Sequence, residues 1–154
     1  MTIDVERLRR LPLFGELDHH DLSMIAHHVG EIEASEGQVL FEQGSIPYEM
    51  FVIEEGTADV TRDQETVGTI GPGDVVGEIA LLRFQRRMGT VRVTSPLRAV
   101  TVSADNLQLI EEEMPEIAGH LRSIMAAREQ ELAAMQPETQ PETQPETQPE
   151  TQKD

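Results

Sequence analysis

From Gly30 to about Ser103 the chain is a succession of short runs rich in Val, Ile, Phe and Thr. These runs are broken by turn residues at Gly37, Gly44, Gly56 and Gly71-Pro72-Gly73-Asp74. Segments this short do not make ordinary helices, and the glycines and proline between them supply the backbone angles that tight turns need. The pattern predicts strands over residues 39–42, 50–54, 58–62, 66–70, 75–77, 90–94 and 98–102. Seven or eight short strands at that spacing bury their faces and protect their edges by closing on themselves or by stacking as a sandwich.

Helical periodicity flanks this block. Leu11-Pro12-Leu13-Phe14 leads to Asp18, a helix N-cap with Asp21 at the third helical position, and Leu22, Ile25, Ala26 and Val29 give an apolar face. After Ala104, Leu107, Leu109 and Ile110 form one short apolar segment, and Pro115 opens a second helix at its first turn. Ile117, Leu121, Ile124, Met125, Arg128 and Leu132 fall on one face of that helix. The implied fold is mainly β: a jelly-roll β-roll, or double-stranded β-helix, between N-terminal and C-terminal helices.

From Pro137 the tetrapeptide Pro-Glu-Thr-Gln repeats to Gln152. Proline at every fourth position forbids a helix, and no apolar side chain is present to offset the entropy of ordering. Residues 137–154 are therefore expected to be a disordered tail with polyproline II bias, spanning roughly 50 Å when extended, and residues 1–136 one domain. The 154-residue chain has no cysteine, which excludes disulfides, thiol catalysis and cysteine-ligated metals. Its first residues lack the charged-then-apolar plan of a signal peptide, so a soluble cytoplasmic protein is expected.

A net charge of −17 works against nucleic acid and anionic membranes as partners. Against that background Arg83, Arg86, Arg87, Arg92 and Arg98 fall between Ile79 and Ala104, a window with no Asp or Glu. The same window begins within Gly77-Glu78-Ile79-Ala80-Leu81-Leu82 and contains Gly89-Thr90-Val91. Glycine allows close backbone approach, a glutamate accepts from a sugar hydroxyl, and an arginine holds a phosphate through its planar fork of donors. Ile79 to Leu82 can form one helical turn whose free N–H groups face an anion. Together these features describe a pocket for a ribose and a phosphate.

Leu11 to Ile117 resembles the cyclic nucleotide-binding domain family. The resemblance lies in Leu11-Pro12-Leu13-Phe14, in Gly37 to Gly44, in Phe51 to Gly56, in Gly71 to Glu78, and in a phosphate-binding cassette over Gly77 to Val91 that aligns without a gap. It implies that Glu78 contacts the ribose 2′-hydroxyl with the Gly77 backbone nearby. Arg87 would bind the cyclic phosphate, and the N–H groups of Ile79, Ala80 and Met88 would complete the cradle. It further implies that ligand binding moves the C-terminal helices toward the cassette, where His120, Arg122, Met125 or Arg128 could cover the base. Met88 stands where cGMP-selective members have a threonine whose hydroxyl reaches the guanine amino group, so cAMP is the expected ligand ahead of cGMP. Position 86 is Arg where many members have Pro, and Gly89 replaces the usual alanine, which adds flexibility beside the anion site.

No Ser/His/Asp set or dinucleotide loop is present, so a non-enzymatic protein with no cofactor is expected. The pairs His19-His20 and His27-His28 are about 12 Å apart along a helix, too far for one metal ion. Glu111-Glu112-Glu113 reads as an exposed acidic turn. Two functions remain: a cyclic nucleotide receptor that signals to a protein partner or a homo-oligomer through its C-terminal helix, or a nucleotide-free interaction module of the same fold.

Overall fold

The computed structural model of the chain describes residues 3–77 and 85–135, the final eight through their backbone alone. Two helices, α1 (Val5–Arg9) and α2 (His19–Ile25), precede a 3-10 turn at Ala26–His28. Eight strands follow: β1 (Gly30–Ala34), β2 (Val39–Phe41), β3 (Glu49–Glu55), β4 (Ala58–Arg62), β5 (Glu65–Ile70), β6 (Val75–Val76), β7 (Thr90–Val93) and β8 (Leu97–Ser103). Helices α3 (Ala104–Glu113) and α4 (Pro115–Met135) close the described chain. The strands form two antiparallel four-stranded sheets, ordered β1-β8-β3-β6 and β2-β7-β4-β5. This is the β-roll with flanking helices that the sequence pattern implies.

The period-two geometry of a strand explains why β3 and β8 read as nearly continuous apolar runs. Phe51, Ile53, Leu97 and Ala99 point between the sheets, where they meet Ala58, Val91 and Val93. Met50, Val52, Val100 and Val102 point to the opposite face, where the helices cover them. That outer cluster gathers Leu8, Leu13, Phe14, Leu22 and Ile25 from the N-terminal segment with Ile110, Ile117, Leu121 and Met125 from the C-terminal helices. The N-terminal and C-terminal helices thus share one core laid against the β1-β8-β3-β6 sheet.

The Asp18 cap forms as the spacing predicts, its carboxylate accepting from the Asp21 N–H at 2.8 Å. Ser103 caps α3 by accepting from the Asn106 N–H at 3.1 Å. At Gly71-Pro72-Gly73-Asp74 the Asp74 side chain accepts from the Gly71 N–H, and the Gly73 N–H donates to the Ile53 carbonyl, which ties the turn to β3. The β4–β5 hairpin turns on Asp63 and Gln64, both with positive φ, without any glycine. Gln43 supports that conformation: its side chain accepts from the Asp63 N–H and donates to the Asp63 carboxylate.

Several expectations are corrected. Strand β1 lies outside the predicted set, because only Ile32 and Ala34 of Gly-Glu-Ile-Glu-Ala are apolar and the strand sits at a sheet edge. Helix α1 was not expected either; Asp4 caps it and Leu8 anchors it. Leu109 is exposed rather than part of the apolar face of α3. Residues 75–76 are strand, but Gly77 has left it with φ +88°. The four-residue repeats from Pro137 lie outside the described residues.

Candidate functional site

The β2–β3 connection is joined to the later part of the cassette by backbone hydrogen bonds. The Gly44 N–H donates to the Arg87 carbonyl at 2.8 Å, and the Arg87 N–H donates to the Ser45 carbonyl at 2.9 Å. These two bonds fix the Arg87 backbone against the β2–β3 connection. The adjacent Arg86 donates to the Gly44 carbonyl at 2.9 Å and strengthens the same junction.

The Arg87 side chain is turned inward and the residue is only 4% exposed. Its Nη1 donates to the Gly77 carbonyl at 2.8 Å, and its Nη2 donates to the Glu49 carbonyl at 2.5 Å. Its Cζ lies 3.9 Å from the centroid of the Phe41 ring. Burying a guanidinium is costly unless its charge and donors are satisfied, and here carbonyl dipoles and an aromatic face contribute to that. Gly77, in the left-handed region, leaves room for the group: a Cβ there would stand 2.5 Å from Nη1.

Gly77 and Arg87 are therefore brought together. Glu78, Ile79 and Ala80, along with the short turn anticipated over residues 79–82, lie outside the described residues. Met88 follows Arg87 at the surface, 42% exposed, with its carbonyl accepting from Arg62 Nε at 3.3 Å. Gly89 does not serve flexibility. A Cβ there would stand 2.7 Å from the Thr61 carbonyl oxygen, so glycine is what lets β7 begin beside β4.

Of the other cassette-window arginines, Arg92 donates to the Gly37 carbonyl at 3.0 Å, and Arg98 lies 3.9 Å from Glu33 and 3.7 Å from Glu55. Three of the four candidate base-covering residues have described side chains. His120 is 3.9 Å from Glu16, Arg122 pairs with Glu111, and Met125 is buried in the helical core. The side chain of Arg128 lies outside the described residues. The apolar stripe of α4, considered as a partner surface, is buried against its own domain through Ile117, Leu121 and Met125. Each acid of Glu111-Glu112-Glu113 faces a different neighbour: Arg122, Gln108 and His28.

Among the described residues, sequence reasoning missed Phe41 and Glu49. Phe41 fits a strand equally well as ordinary core, and Glu49 contributes through its carbonyl, which no side-chain pattern marks. Outside this region, Arg7 of α1 donates to both carboxylate oxygens of Glu54, at 3.0 and 2.7 Å, and to Glu31. The Arg7 hydrogen bond holds the Glu31 carboxyl below its usual range, and the two carboxylates, Glu54 first, push the Arg7 guanidinium higher still. Among the described residues no helix is long and apolar enough to cross a membrane.

The cyclic nucleotide-binding domain family model matches residues 31–113, more than half of the chain. A cAMP-dependent protein kinase regulatory subunit of Mycosarcoma maydis is 34% identical over 105 residues, covering 62% of this chain and 20% of that protein. The chain spans 30% or less of the length of such curated relatives. A cyclic nucleotide-binding domain from Methylobacillus flagellatus KT has a TM-score of 0.74 at 20% identity, over 92% of this chain and 83% of that one. The regulatory subunit of a cAMP-independent protein kinase A from Trypanosoma brucei has a TM-score of 0.71 at 19% identity, over 82% of this chain and 44% of that one. The eight-stranded roll, its shared helical core and the matched residues all agree: the chain belongs to the cyclic nucleotide-binding domain family.

Proposed function

We propose that the chain is a non-enzymatic cytoplasmic receptor for a cyclic nucleotide, with cAMP preferred over cGMP and residues 1–136 as the binding domain. Glu78 accepts from the ribose 2′-hydroxyl, Arg87 holds the cyclic phosphate, and the N–H groups of Ile79, Ala80 and Met88 complete the cradle. The observation that carries this reading is the placement of Arg87. An arginine only 4% exposed, fixed beside a left-handed glycine, is a charge that burial of an apolar core does not itself require. Such a fixed cation is suited to an anion that reaches the glycine backbone. The similarity to a kinase regulatory subunit described as cAMP-dependent supports the choice of ligand.

Ligand state is read out through α3 and α4 to a protein partner or a second copy. The geometry favours such coupling, because the Glu49 carbonyl takes a hydrogen bond from Arg87 while the preceding Tyr48 carbonyl takes one from the Ala104 N–H, the first residue of α3. A phosphate bound by Arg87 therefore bears on the same dipeptide that holds the start of the C-terminal helices. Coupling of this kind requires the ligand to prefer one helix position over the other.

Methionine at position 88 offers no hydroxyl to a guanine amino group, which is the basis for the cAMP preference. Competition among cAMP, cGMP and AMP tests it: cAMP is expected to bind tightest, and cGMP binding as tightly or more so contradicts it. The Trypanosoma brucei protein has the same fold and is described as belonging to a cAMP-independent kinase. Failure of all three nucleotides to bind would leave the second reading, a nucleotide-free interaction module.

A further inference from the structure

We infer that Phe41 is a positioning residue for Arg87, the platform that holds the guanidinium flat and charged where a phosphate is to be met. This rests on the reading of Arg87 given above. The Arg87 Cζ stands 3.9 Å from the Phe41 ring centroid, inside the range at which a cation is attracted to the negative face of an aromatic ring. The platform is itself supported: Phe41 stacks on Phe51 with centroids 6.0 Å apart and planes 27° from parallel, and Phe51 is 2% exposed in the core between the sheets. Register fixes the position of Phe41, since it pairs with Val91 of β7 across an irregularity that follows Val39.

Ring, Gly77 carbonyl and Glu49 carbonyl each hold the guanidinium, one contact on its face and two on its edge. These three partners are neutral and bring no countercharge of their own. A carboxylate in the place of Phe41 would hold the arginine equally well but would repel a phosphate. An aliphatic side chain would remove water from the cation and give nothing in return. An arginine side chain otherwise loses rotamer freedom when a ligand fixes it, and the ring helps to remove that loss from the binding step.

The test compares Phe41→Leu and Phe41→Tyr with wild type by two readouts, cAMP affinity by calorimetry and the Arg87 Nε–Hε resonance in 15N NMR, assigned by its absence in Arg87→Lys. In wild type the Arg87 signal is expected to be displaced upfield by the ring. Phe41→Leu is expected to abolish that displacement and weaken cAMP binding about tenfold, while Phe41→Tyr, which keeps a ring, retains both. An unchanged resonance and affinity in Phe41→Leu, or an equal loss in Phe41→Tyr, overturns the assignment. If Phe41→Leu does not fold, Phe41→Met fills the same space without a ring and takes its place. If wild type binds no cyclic nucleotide, the phosphate reading has failed, and the positioning role of Phe41 stands or falls on the Arg87 resonance alone.

Discussion

Arg87 occupies the space that a side chain at Gly77 would need: a Cβ on Gly77 would lie 2.5 Å from Arg87 Nη1 and 3.1 Å from the Phe41 ring. The glycine also has φ +88°, which costs an alanine about 1–2 kcal/mol. Gly77→Ala is therefore expected to displace the guanidinium. Cyclic nucleotide affinity should fall at least tenfold while the protein remains folded. Calorimetry together with a thermal melt separates the two effects; unchanged affinity would show that Arg87 does not depend on this glycine.

Gly89→Ala restores the residue expected at that position of the cassette, yet it is expected to destabilise the protein. The added methyl group meets the Thr61 carbonyl oxygen at 2.7 Å, and that oxygen is backbone held in the β4–β7 ladder, which leaves it little room to yield. Overpacking of this kind costs about 1–3 kcal/mol. Urea unfolding of the variant should show a lower midpoint with an unchanged slope.

The C-terminal helices are held by the core they share with α1 and α2. Leu121 is 2% exposed and Met125 1%, so Leu121→Ala or Met125→Ala should cost about 2–5 kcal/mol. Leu109, on α3 and 37% exposed, serves as the control, its change to alanine staying within about 0.5 kcal/mol. Hydrogen exchange should show faster amide exchange across α4 in the two core variants, and its absence there would argue against docking through this stripe.

Arg7 joins α1 to the roll through Glu54 and Glu31, and its removal should cost about 1–2 kcal/mol at neutral pH. The pH dependence follows from the carboxylate. The folded Glu31 titrates below its ordinary value of 4.5, so its contribution is complete above about that pH and is lost as pH falls through the folded value. Arg7, shifted upward, keeps its charge throughout this range. The stability difference between wild type and Arg7→Met should be flat from about pH 6 to 9 and shrink below about pH 4.5. A difference that grows on acidification contradicts this assignment.

How much of this was legible in the sequence depends on where each signal is carried. Strands such as β3 and β8 announce themselves because both faces are buried, so their residues are apolar without alternation. β1 hides because an edge strand with Glu31 and Glu33 exposed looks like a loop. The Asp18 cap is visible because a cap is a local contact; α1 is too short for periodicity to reveal. At the candidate site, Gly77 and Arg87 belong to one contiguous motif and could be read directly. Phe41 and the Glu49 carbonyl reach Arg87 only through the fold, the first as a ring indistinguishable from core and the second as backbone. Gly89 shows the converse: its identity was plain, but its reason, the approach of Thr61 on a neighbouring strand, was not.

The most direct test of the central claim is a calorimetric titration of the full chain with cAMP, repeated on Arg87→Ala. Saturable binding by wild type is expected, together with about 2.7 kcal/mol of added stability at 100 times the dissociation constant. Arg87→Ala should lose at least tenfold in affinity while keeping its fold, since a charge-assisted phosphate contact contributes about 1.5–3 kcal/mol. No heat and no thermal shift at millimolar cAMP, or binding that survives Arg87→Ala unchanged, would contradict a receptor built around this arginine.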